Sequence, residues 1–301
     1  MRVSEATERR LPFLVGEREA TQRGATQRET ARRETTLPPN VFCGATLLAG
    51  NANVIMQLAH PAVGRGVVES TVTSGQLSRH PVKRTRTTLT YLAVSLAGSD
   101  EERRLFRKAV GRQHAHVRSG ESSPVRYNAF DGDLQLWVAA CLYKGLEDSR
   151  AALGLPLGRS CTDVMYRHAA RLGSTLQMPE SAWPEDRAAF EQYWKQQLER
   201  VSIDPEVREH LRHITELGFL PAPLRRVFGP VNRFVTTGFL PPRFREEMGL
   251  PWGPRQQRRF DRLMGGIGAV ARRSPRQLRE FPYNLVLRDL RRRIRRNQPL
   301  A

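Results

Sequence analysis

Residues Ser99–Ser119 read SDEERRLFRKAVGRQHAHVRS, and how this stretch coils decides the fold. Ser99 followed by Glu102 is a capping box. The serine hydroxyl accepts from the backbone of the third helical residue, and the glutamate returns a bond to the serine amide. Leu105, Phe106, Ala109, Val110, Gln113 and Val117 then recur at three- and four-residue spacing, which makes one apolar stripe of a helix. The spacing predicts a helix from Ser99 through Arg118. His114 lies on the inner stripe, four residues after Val110 and three before Val117. His116, two residues on, points about 200° away, so the pair cannot grip one ion together. One imidazole is therefore expected to face the interior.

Helical spacing continues on both sides. It predicts an apolar segment over Cys43–Leu58, a short helix over Pro61–Thr71, and a longer one over Lys83–Ala97 with Leu89, Leu92, Ala93 and Leu96 on one face. Downstream helices are expected over Asp131–Ser149, Cys161–Leu176, Ala182–Val201, Glu206–Glu216, Pro221–Thr236, Pro254–Arg272 and Phe281–Arg296. Strand alternation and Asn-Gly turns are missing. The fold class is therefore all-α, a single helical domain over residues 39–301. Residues 1–38, rich in Thr, Gln, Arg and Glu, read as a disordered tail that ends at Pro38-Pro39. "ATQR" occurs there twice, as low complexity.

The chain has a net charge of +19 and a pI of about 11.2. Almost all of its basic residues are Arg; Lys83, Lys108, Lys144 and Lys195 are the only lysines. That skew is what a GC-rich coding bias produces. Aromatic-basic interleaving, zinc spacing and short basic helix-turn-helix units are missing, so nucleic acid is a weak candidate partner. From Trp252 to the C-terminus, fourteen Arg face only Asp261, Glu280 and Asp289, which accounts for eleven of the nineteen net charges. A solvated basic face is the simplest reading. Peripheral contact with anionic lipid is the second, with "RDLRRRIRR" as a basic interfacial helix. No apolar run reaches the roughly eighteen residues needed for a membrane span. No signal peptide is apparent, so the expected compartment is cytoplasmic. Cys43, Cys141 and Cys161 are too few and scattered for a disulfide framework.

The chain carries no GxGxxG, Walker, GxSxG or HExxH motif. An all-α chain with one inward imidazole leaves three readings open: a haem protein, in which one neutral imidazole holds the iron; a binding scaffold; or an ordinary core histidine. A haem site also needs polar groups beside the iron. "KRTRTTLTYLAVSLAG" supplies a candidate set, because Arg84 and Thr88 stack one turn apart on a helix, with Tyr91 and Leu92 continuing that face. The simpler alternative is that Lys83 and Arg84 decorate a helix N-terminus, where positive charge is mildly unfavourable.

Five stretches, in order, resemble the family of the oxygenase MpaB and the rubber oxygenases (latex clearing proteins). They are NANVIMQLAHPAVGRGVVES (51–70), RTRTTLTYL (84–92), HAHVRS (114–119), YNAFDGDLQLWVAACL (127–142) and GFLPPRFREEMGLPW (238–252). The resemblance covers roughly residues 40 to 295. It implies an all-helical fold enclosing a b-type haem and O2-dependent oxidation of a small apolar substrate, by oxygen insertion or C=C cleavage. It further implies that His114 is the axial iron ligand, with Arg84 and Thr88 beside the haem. The rubber oxygenases carry a lysine just before that threonine, where this chain has Thr87. That departure argues against a lysine-capped iron and against polyisoprene as substrate. A catalytic glutamate of the rubber enzymes falls on Glu69. His60, in "AHPAV", reads as structural, placing the Pro61 turn. The competing reading is a non-catalytic helical protein that binds an anionic partner through its basic C-terminal third.

Overall fold

The structure is a computed structural model that describes residues 41–70 and 81–300. The tail expected over residues 1–38 lies outside the described residues. A 3-10 helix, Gly44–Ala49, opens the chain. The α-helices follow as α1 (Gly50–Leu58), α2 (Pro61–Val68), α3 (Pro81–Ala97), α4 (Asp100–His114), α5 (Gly132–Ala152), α6 (Arg159–Ser174) and α7 (Arg187–Glu199). The remainder are α8 (Pro205–Thr215), α9 (Ala222–Phe239), α10 (Pro242–Met248), α11 (Pro254–Arg273), α12 (Arg276–Arg279) and α13 (Tyr283–Arg295). No strand occurs among the described residues; one isolated bridge pairs Arg118 with Asn128. The all-α expectation holds.

Helix α5 is the central column. Its cap is Asp131, whose carboxylate accepts from the Asp133 and Leu134 amides. It packs against α1, α6 and the 3-10 helix. Trp137, on α5, is fully buried, stacked on Trp194 with ring centroids 5.4 Å apart, and donates its indole N–H to the Gln57 carbonyl at 2.9 Å. One turn and a half further, Tyr143 meets Tyr166, Trp183 and Phe190 edge-on. Offset and edge-on geometries are the arrangements that aromatic quadrupoles favour.

A polar clasp is built into this core. Asn53 on α1 donates to the Cys141 carbonyl at 2.6 Å and accepts from Gln57 at 2.6 Å. The close approach of α1 and α5 requires glycine at 145, because a Cβ there would sit 2.1 Å from Asn53 Nδ2.

Four expectations are corrected. The helix that begins at the Ser99 box, which forms as expected, ends at His114 and not at Arg118. Beyond it the chain folds back: Ala129 N–H bonds the Val117 carbonyl and Ser119 N–H the Tyr127 carbonyl, both at 2.9 Å, which takes His116 and Val117 off the helix. The helix expected from Ala182 starts at Arg187, after a 3-10 turn at Glu180–Ala182 and Trp183-Pro184. Two short helices, α10 and α12, were not expected. The basic C-terminal helix, α13, does not have its apolar face free for an interface: Tyr283, Val286 and Leu290 are buried as α13 packs along α3, and Leu285 stays exposed.

Candidate functional site

His114 closes α4, which the capping box starts and whose buried residues are Phe106 and Val110. The residue is partly covered, and its Nδ1 is fully sealed in protein. Burial lowers the His114 pKa, Arg84 lowers it further, and Gln177 opposes both through a hydrogen bond. Although the Gln177 side chain is in hydrogen-bonding range of the ring, Nδ1 itself finds no partner of full geometry. The balance favours the neutral imidazole, the form that ligates metal.

Arg84 lies on α3. It is set deep enough among protein atoms for desolvation to lower its pKa, yet its side chain retains exposed surface. The electrostatic effect of Arg84 on His114 puts the two side chains near one another. Thr88, one turn on, is also exposed. Tyr91 leaves this group: it is buried and donates to the Leu172 carbonyl. Leu92, Val138 and Leu142 pack beside the cluster of Tyr91, Val94, Phe106 and Val110 but stay only partly covered, which gives the region apolar walls.

The sequence reading missed Gln177. Its side chain donates to the Arg107 carbonyl at 3.3 Å and accepts from Gln135 Nε2 at 3.3 Å, and its backbone sits at φ 96°. A non-glycine residue there is strained and is held by its surroundings. Nothing local in the sequence marks it, since the loop after α6 brings it to α4.

The other nominated residues go elsewhere. Thr87 bonds the Lys83 carbonyl at 3.0 Å on its own helix. Glu69 accepts from the Tyr127 hydroxyl at 3.0 Å and lies 3.7 Å from Arg65, which also bonds Asp204 and Glu206. That makes Glu69 part of an ionic tie between α2, α8 and the 115–130 loop. His60 sits at the N-cap of α2 ahead of Pro61, as the structural reading expects, with its ring 6.2 Å from that of Trp137. Burial, then Arg200, lowers its pKa. No group of three or more His, Cys, Asp or Glu fit to hold a bare metal ion occurs among the described residues. A haem iron needs no such group, because the macrocycle supplies most of its ligands.

The fold is all-helical, and within it Arg84 on α3 acts electrostatically on His114 at the end of α4. The chain matches the family model described as the ER-bound oxygenase mpaB/B'/rubber oxygenase catalytic domain over residues 43–269, and it belongs to that family. Its activity is therefore classed with the oxygenases. Two mycobacterial relatives match it: the uncharacterized proteins Mb2261 of Mycobacterium bovis and Rv2237 of Mycobacterium tuberculosis. Each is 52% identical over 255 residues, covering 85% of this chain and all of the relative. No solved structure matches significantly. No helix among the described residues is long and apolar enough to cross a membrane.

Proposed function

We propose that this oxygenase is haem b-dependent and oxidises a small apolar substrate with O2, with His114 as the iron's protein ligand. The observation that carries the reading is that Arg84, on α3, acts electrostatically on His114, whose Nδ1 is sealed in protein at the end of α4. When bound, a haem supplies redox chemistry towards O2 that no side chain offers. His114 would hold the iron of the bound haem through its imidazole. Gln177, hydrogen-bonded to His114, steadies the ring in one orientation.

Arg84 supplies a cation beside the imidazole that stabilises negative charge developing there. Thr88 adds a hydroxyl one turn away. Leu92, Val138 and Leu142 exclude water and orient an apolar substrate.

The test is a visible spectrum of the protein expressed with haem precursor. A Soret band is expected, lost or strongly weakened in His114→Ala and retained in His116→Ala. A colourless protein, or equal bands in both variants, overturns the assignment of His114.

A further inference from the structure

The surface opposite in character to the site is the face formed by α11, α12 and the 3-10 helix. Leu47, Leu263, Val270, Leu278 and Phe281 line one shallow groove there. Val270 is 67% exposed, Leu278 69% and Phe281 54%. Large apolar side chains gathered in one exposed groove mark an interaction site. Helix α9, packed beside α11, adds exposed Val227, Phe228 and Val231 on one of its faces.

The charges around this groove narrow the partner. At 100° per residue, Arg255, Arg259, Arg262 and Arg273 lie within about a quarter-turn of the Leu263–Val270 line on α11. All four are exposed, and none has a carboxylate partner among the described residues. The one acid of α11, Asp261, is engaged by Gln257 at 2.8 Å. A second copy docking here would oppose these arginines with their own kind. A nucleic acid would leave Leu278, Val270 and Phe281 without apolar cover. A bilayer with anionic headgroups satisfies both halves, taking apolar side chains into the acyl boundary and guanidinium groups at the phosphates.

We propose that the α11–α12 face is a monotopic docking surface for an anionic lipid bilayer, with Val270, Leu278 and Phe281 as the inserted anchors. It is separate from α13, whose Tyr283, Val286 and Leu290 are buried as it packs along α3.

The experiment is co-sedimentation of the full chain with phosphatidylcholine vesicles, with and without phosphatidylglycerol. Binding is expected with the anionic vesicles and weakens with added salt. The Val270→Asp/Leu278→Asp variant is expected to bind about tenfold more weakly, and Arg259→Glu/Arg262→Glu likewise. All four positions are exposed, and circular dichroism checks that the variants remain folded. Equal binding by the apolar variant, binding to duplex DNA that matches vesicle binding, or Leu278-dependent self-association without vesicle binding each overturns the proposal.

Discussion

Gln177 is tied to Arg107 twice, its side-chain amide donating to the Arg107 carbonyl at 3.3 Å while the Arg107 guanidinium donates to the Gln177 backbone carbonyl at 3.4 Å. Arg107 stands two turns before His114 on the same helix. The loop after α6 is thereby fastened to the helix that presents the imidazole, and the Gln177 side chain is left against the ring. Gln177→Leu keeps the volume and removes the polar contact. Haem retention, followed by spectroscopic titration of the apoprotein, is expected to fall about tenfold. Unchanged affinity would mean that Gln177 only shapes the loop.

Arg84 acts on His114 through space. Arg84→Leu removes a cation that disfavours the imidazolium, so the His114 pKa is expected to rise towards its ordinary value of 6.5. At a pH near that value the neutral fraction then falls. Proton-detected titration of the apoprotein reads this directly. In the loaded enzyme the same variant is expected to lose roughly a hundredfold in turnover, and Thr88→Val less.

Gly145→Ala drives a methyl into Asn53, whose amide is held on both sides by hydrogen bonds of 2.6 Å. A destabilisation of about 2–3 kcal/mol is expected from overpacking and a strained buried amide. Thermal unfolding of the single variant and of Gly145→Ala/Asn53→Ala checks it. The double variant should lose less than the sum of its parts.

Glu102 joins three structures: the Ser99 cap, α4 and, through Arg291 at 2.8 Å, α13. Burial alone would raise its pKa, but bonds from Arg291 and the Ser99 amide outweigh that and hold it below the ordinary 4.5. A carboxyl depressed on folding adds stability above its unfolded pKa, and that stability is lost as pH falls through the folded value. The wild type is expected to weaken between about pH 5 and pH 3, and Glu102→Gln to show a flatter dependence there. Denaturant midpoints across that range measure it.

What the sequence disclosed and what it withheld divide along physical lines. The capping box and the inward side of His114 were legible because both rest on contacts within one or two turns. Asp131 at the head of α5 was legible for the same reason. The end of α4 was not, because pairing of residues 117–119 with 127–129 overrides a helical pattern that runs on to Arg118. Gln177 was invisible, since its role depends on a distant loop. The C-terminal helix misled because an amphipathic basic pattern does not say which surface covers its apolar side, and here it is α3.

The family segment ends at residue 269, yet Tyr283, Val286 and Leu290 of α13 lie over Ala93, Val94 and Phe106, on the two helices that present Arg84 and His114. The last thirty or so residues thus act as a roof beam. A chain shortened to the shared catalytic portion would expose those supports to water and let α3 and α4 drift apart, so that a truncation distant in sequence would disturb the placement of Arg84 and His114.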